Sequence, residues 1–185
     1  AGMLNFAVFD PDGSPAKSFV LRHAHLFGQD DIPMQGEITV EPGIIRCSKQ
    51  GPEVAGLCLQ VEVPAPLPID HTAAGTPGLA GKIPASKPSL GVLMLQTCLL
   101  PMRAEPYILG LELARHRIMH FLNKLEEWAL FDLPPDHPVM QQFEAARLRF
   151  SAALVASRDG SGSANDPRAK SDRLAWQSLA LALDA

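Results

Sequence analysis

Two spacings of apolar residues divide this chain. Up to about residue 100 apolar positions alternate with polar ones or form short runs between Pro and Gly, the signature of strands and turns. Beyond it they recur every three or four residues, the signature of helices. Leu4-Asn5-Phe6-Ala7-Val8-Phe9 is a short strand, and Asp10-Pro11-Asp12-Gly13 a turn, with Pro presetting φ and Gly accepting a positive φ. Ser18 to Phe27 is a second strand, followed by a turn region from Gly28 to Gly36. Glu37 to Glu41 and Ile44 to Ser48 flank Pro42-Gly43 and predict a tight hairpin. In the next strand, 57–63, Leu59, Val61 and Val63 alternate with Gln60 and Glu62, so one face is buried and one wet. Leu90 to Leu100 is an apolar run suited to the centre of a sheet.

The organising element is the stretch from Glu105 to Phe131, which reads as one long helix. Tyr107, Leu111, Ala114, Ile118, Phe121, Leu122, Leu125, Trp128 and Ala129 fall on one stripe. Pro106 suits its first turn, and Pro134-Pro135 stops it. Gly110 costs about 1 kcal/mol there against Ala and marks either a close backbone contact or a later start. A second helix opens at Asp136-His137-Pro138 and buries Met140, Phe143, Ala146, Phe150 and Leu154. Ser157 to Ala164 is a flexible connection. Asp166-Pro167 starts a third helix, which carries Leu174, Leu179, Leu181 and Leu183.

The predicted fold is therefore α+β: an N-terminal antiparallel β-sandwich or β-sheet domain over residues 3–102, resembling a carbohydrate-binding module, then a helical segment of about three helices over 103–185. Residues 64–89, with six prolines and three glycines, lack periodicity and read as a mobile surface insertion. The third helix stops in full stride at Ala185, as a chain cut from something longer would. Ala1-Gly2 before Met3 reads as a tag-cleavage scar.

Composition narrows the function classes. Of the 185 residues, 46% are hydrophobic, enough for a real core, and 19% are charged. With a net charge of −4 and no basic run, a nucleic-acid role has no electrostatic footprint. No apolar run reaches the roughly 18 residues of a membrane helix. Cys47, Cys58 and Cys98 are odd in number and widely spaced, which fits neither a disulfide framework nor a zinc site. They read as buried free thiols and, without a signal peptide, point to a cytoplasmic setting.

Candidate chemistry is sparse. His23-x-His25 would put two imidazoles on one strand face, but no third ligand accompanies them. Asp30-Asp31 near Glu37 reads as a solvated turn. Glu112 and Glu126-Glu127 lie among basic residues and read as surface pairs, Glu112 with Arg115 or His116. Tyr107, Trp128 and Trp176 could stack on sugar rings, though at helical spacing they read as core. No nucleophile–base pair, metal cluster or phosphate loop appears, and no cofactor is implied.

Three pieces carry a resemblance: Phe6 to Gly13, Leu21-Arg22-His23-Ala24-His25-Leu26-Phe27-Gly28, and the run from Thr97 through Glu112-Leu113-Ala114-Arg115-His116-Arg117-Ile118 to Trp128-Ala129-Leu130-Phe131-Asp132. Together they resemble the N-terminal, non-catalytic region of bacterial proteins, typically from planctomycetes, that carry a family 10 glycoside hydrolase barrel and are described as endo-1,4-β-xylanases. The resemblance covers nearly the whole chain outside residues 65–89. It implies that the two catalytic glutamates lie on a barrel beyond Ala185, so that no residue here inherits a catalytic role. It also implies as partner a xylan-like polysaccharide or the catalytic barrel of the parent protein. His23, His25, Tyr107 and Trp128 are the candidate ligand-binding residues. The alternative is an interaction unit without sugar binding, for example a homodimer built on the wide apolar face of the long helix.

Overall fold

A computed structural model describes residues 2–66, 89–158 and 166–185. Its eight strands are β1 (Gly2–Ala7), β2 (Arg22–Phe27), β3 (Pro33–Met34), β4 (Gly36–Glu41), β5 (Ile44–Lys49), β6 (Gly56–Pro64), β7 (Ser89–Gln96) and β8 (Tyr107–Ile108). Three helices follow: α1 (Leu109–Glu127), α2 (Pro138–Arg158) and α3 (Pro167–Asp184). The strands form two four-stranded sheets, in the orders β4-β5-β1-β8 and β3-β2-β6-β7. All pairings are antiparallel except β1 with β8. The α+β class read from the residues is the one observed.

The turn chemistry acts as expected. Gly13 takes φ +87 and its amide donates to the Asp10 carbonyl at 2.8 Å. In the β4–β5 hairpin Glu41 faces Ile44 across Pro42-Gly43. Proline cannot adopt positive φ, so a primed turn is excluded and the left-handed angle, +77, falls on Gly43. In β6, Leu59, Val61 and Val63 are buried while Gln60 is half-buried and Glu62 exposed, which is the alternation the sequence predicted.

Several boundaries and placements differ from the sequence reading. The second strand starts at Arg22 rather than Ser18. The apolar run from Leu90 lies at a sheet edge, paired with β6 alone among the described residues, rather than at the centre. Val92 and Met94 are accordingly about half exposed, at 45% and 52%. The long helix is shorter at both ends. Tyr107 and Ile108 pair in parallel with Phe6 and Ala7, so the first turn of the expected helix is drawn into the sheet. At the other end Ala129 adopts a left-handed conformation, φ 51 and ψ 39, and closes the helix five residues before Pro134. The insertion at 64–89 and the connection at 157–164 fall largely on residues outside those described.

One core holds side chains of both sheets and of all three helices: Leu4, Phe6, Ile45, Leu59, Leu109, Ala153 and Leu179 are all under 2% exposed. The pairing of α1 with α3 is parallel. Gly110 meets Asp172 near their amino ends, and the Arg117 Nε donates to the Ala182 carbonyl farther along. The α2–α3 pairing is antiparallel and built on small residues, which lets the axes approach closely. There the Ser171 hydroxyl donates to the Ala153 carbonyl at 2.8 Å and the Ser178 hydroxyl to the Ala146 carbonyl at 2.7 Å. These bonds satisfy polar groups that would otherwise cost about 1–3 kcal/mol each to bury.

Two Gly/Ala exchanges test this account with opposite signs. A Cβ on Gly110 would lie 2.7 Å from the Asp172 Oδ1 and 2.8 Å from the Trp176 Nε1. Gly110→Ala is therefore expected to lower the urea-unfolding free energy by about 2 kcal/mol, although Ala is the better helix former by about 1 kcal/mol. Ala129→Gly relieves a left-handed residue and is expected to raise it by about 0.5–1 kcal/mol. Equal signs for the two would contradict the geometry.

Candidate functional site

Residues from three parts of the fold enclose the first candidate site. Val8, Phe9 and Ala16 come from the end of β1 and the turn after it, Pro64 from the end of β6, and Asp172 and Trp176 from α3. The cleft between them measures about 530 Å³, within the usual range for small-molecule sites. A smaller groove of about 330 Å³ continues from it past Phe19 and Trp176 toward Arg22, Gln60 and Val92. The walls are mostly apolar. Asp172, 4% exposed, is the one buried charged residue among those lining the cleft.

Two separate constraints place Asp172. Along α3 it sits one turn before Trp176, so both side chains share a helix face. Across the interface its Oδ1 accepts the Gly110 amide at 3.2 Å. Gly110 belongs to the first turn of α1, whose N-cap residue, Ile108, offers no side-chain acceptor. The cap is therefore supplied from another helix. Burial pushes the Asp172 carboxyl up from 3.8 to about 7, against the Gly110 amide and the Trp176 indole N–H, which favour the ionised form.

At the far end of the helices lies a second groove, of about 520 Å³, between the second half of α1, the start of α2 and Ala185. Trp128 lines it and is 65% exposed, so its expected place in the core is corrected. The reason is the helix end: Trp128 is the C-cap, beyond the last residue that packs on a neighbour. Arg117, His120, Lys124 and His137 supply polar groups around it. The Lys124 ammonium stands 6.0 Å from the centroid of the Trp128 ring. His137 also caps α2, its Nδ1 accepting the Val139 amide at 3.3 Å.

The other candidates from the sequence are dispersed. Tyr107 is buried in β8, its hydroxyl donating to the Pro101 carbonyl at 2.9 Å and the Arg103 guanidinium 3.5 Å above its ring centroid. That packing leaves no free face for a ligand. His23 and His25 lie on β2, but an extra residue there breaks the two-residue alternation that would give them one face. Arg22 pairs with Gln60 and His25 with Cys58, and His23 takes φ 47. Among the described residues no three His, Cys, Asp or Glu side chains form a metal-sized group.

Glu112 is not the surface residue expected. It is 4% exposed, although it does pair with Arg115, at 3.0 Å. Cys47 and Cys58 are buried and Cys98 half-buried, all of them free. Burial lifts the Cys47 thiol to about 12, which makes it inert at neutral pH. No helix among the described residues is long and apolar enough to cross a membrane.

Asp172 itself was not legible as a site residue. One signal pointed toward it, the glycine in the first turn of a long helix, which implied a close neighbour without naming one.

The raised Asp172 value has a testable sign. The folded chain holds this proton up to about pH 7, whereas the unfolded chain releases it near 3.8. Between those values the folded state binds more protons, so this group lowers stability as pH rises from about 4 to 7. Asp172→Asn, which keeps an oxygen acceptor for Gly110, is expected to match the parent at pH 4. At pH 8 it should be more stable by roughly 2–4 kcal/mol, measured by urea unfolding. A variant less stable at pH 8 than at pH 4, relative to the parent, would contradict the assignment.

Compared with protein-family models, with curated proteins and with solved structures, the chain gives no match.

Proposed function

We propose that this chain is a non-catalytic module of a xylanase-like glycoside hydrolase and that it binds polysaccharide through the Trp128 groove. The observation that carries the reading is the 65% exposure of the Trp128 indole along a groove edged by His120, His137 and Lys124. Pyranose rings offer C–H faces to an aromatic ring and hydroxyls to planar polar groups beside it. A large aromatic left in water at a helix end contributes nothing to the core, so its surface is available for such stacking.

Two further features support the non-catalytic part. Glycoside hydrolysis turns on a pair of carboxyl groups held across the scissile bond. The Trp128 groove has no acidic side chain among its lining residues, and of the three acids lining the cleft between β1 and α3 only Asp172 is buried. The resemblance of the segments from Phe6, Leu21 and Thr97 to the region preceding family 10 barrels is in keeping with the same context.

A second reading, a protein-docking surface, draws on Met119, Leu122 and Phe131, which are 44%, 49% and 69% exposed on and just beyond the same half of α1. The barrel of the parent protein is its natural occupant.

Affinity electrophoresis through gels containing soluble xylan separates these. The parent chain is expected to be retarded and to release no reducing ends. Trp128→Ala should lose the retardation by tenfold or more with its unfolding midpoint unchanged, and Trp128→Phe should keep part of it. No retardation by xylan or any other neutral glycan would leave the docking surface as the better reading.

A further inference from the structure

We propose that the cleft between the end of β1 and α3 is a binding site for a small organic ammonium ion with an apolar body, its charge held on the Asp172 carboxylate. This site lies at the opposite end of the α1–α3 pair from Trp128, about 27 Å away along α1 at 1.5 Å per helical residue, and is independent of the sugar-binding reading.

The argument starts from an imbalance. Asp172 is 4% exposed, and no Lys, Arg or His among the described residues forms an ion pair with it. Its partners, the Gly110 amide and the Trp176 indole, are neutral. A carboxylate taken out of water without a counter-charge is costly, and a bound cation offsets that cost where a neutral ligand does not.

The rest of the cleft favours the same sign. Its charged lining residues are the acids Asp10, Glu62 and Asp172 against one cation, Arg173, which is exposed. Among the described residues no buried Lys, Arg or His stands at this level. On α1, Glu112 is engaged by Arg115; in the turn after β1, Lys17 lies between the lining residues Ala16 and Ser18 but is exposed, and it is its amide that Asp10 accepts. The walls then set the body of the ligand. Val8, Phe9, Phe19 and Trp176 give aromatic and branched surface in a space of about 530 Å³, room for a single ring and a short side arm and more. Trp176 adds a face on which a cation or a ring can lie.

The pH dependence follows from the same carboxyl. An ammonium ion requires its ionised form, so affinity should fall as pH drops below about 7.

The probe is 2-phenylethylammonium, with 2-phenylethanol as its uncharged match. The chain has two tryptophans, so Trp128→Phe leaves Trp176 as the sole reporter of binding by fluorescence. Saturable quenching or enhancement by the ammonium is expected, at least tenfold stronger at pH 8 than at pH 5.5, with the alcohol at least tenfold weaker at pH 8. Asp172→Asn should weaken the ammonium at least tenfold. Gln177→Lys, a change at the half-buried rim of the cleft that places a tethered ammonium there, should weaken it several-fold and decides the matter if the Asn variant does not fold. Equal binding of alcohol and ammonium, unchanged affinity in either variant, or no saturable response overturns the proposal. Loss of xylan retardation in the Trp128 variants would leave these outcomes unaffected.

Discussion

An acidic side chain under the first turn of another helix holds the two halves of this molecule together. The Asp172 carboxylate meets the Gly110 amide at 3.2 Å, where α1 leaves the sheet and has no cap of its own. The first amides of a helix carry partial positive charge and need acceptors. Supplying one from α3 fixes the parallel register of α1 and α3. It also places the start of α1 directly after β8, which is hydrogen-bonded to β1. The approach is possible because residue 110 has no side chain. Its electrostatic cost is visible in the carboxyl itself, since loss of solvation outweighs the Gly110 amide and the Trp176 indole and lifts it to about 7.

That register sorts the surface into two ends. Where α1 and α3 begin, they face the strands, and the space left between α3 and the β1 turn is a mostly apolar cleft with one buried carboxyl in its wall. Where they end, the chain has left the sheets behind, and Trp128 is stranded past the last packed turn. The antiparallel α2 braces α3 through alanines and serines, which lets it approach closely, with the hydroxyls closing bonds that the helix backbone leaves open to them. The two ends therefore differ in chemistry for structural reasons. One is mostly apolar with acids in its wall. The other carries an exposed indole edged by histidine, lysine and arginine.

This division bears on what the protein does. An exposed indole with polar neighbours suits a sugar ring without any bond-breaking group nearby. An enclosed carboxyl lacking a counter-charge suits a cation. Neither end assembles a metal-sized cluster of His, Cys, Asp and Glu among the described residues.

Much of the architecture was legible from local pattern. Alternation marked β6, Pro42-Gly43 marked the β4–β5 hairpin, Asp10 to Gly13 marked the first turn, and Asp166-Pro167 marked the start of α3. Each of these depends on a few adjacent residues whose backbone preferences agree with the fold. The failures share a different cause. Tyr107 has the spacing of a helix residue, but pairing with Phe6, a hundred residues earlier, satisfies its backbone in the sheet. The run from Leu90 is apolar enough for a central strand and still lies at an edge, because strand order is a property of the whole sheet. Trp128 fits a buried stripe that the left-handed Ala129 cuts short. Asp172 looks like any helical surface acid until Gly110 arrives beneath it. Short-range preferences in the sequence determined which elements form. Which of their side chains end up buried, open or charged in a cleft was decided only when residues distant in the chain competed for the same space and the same hydrogen bonds.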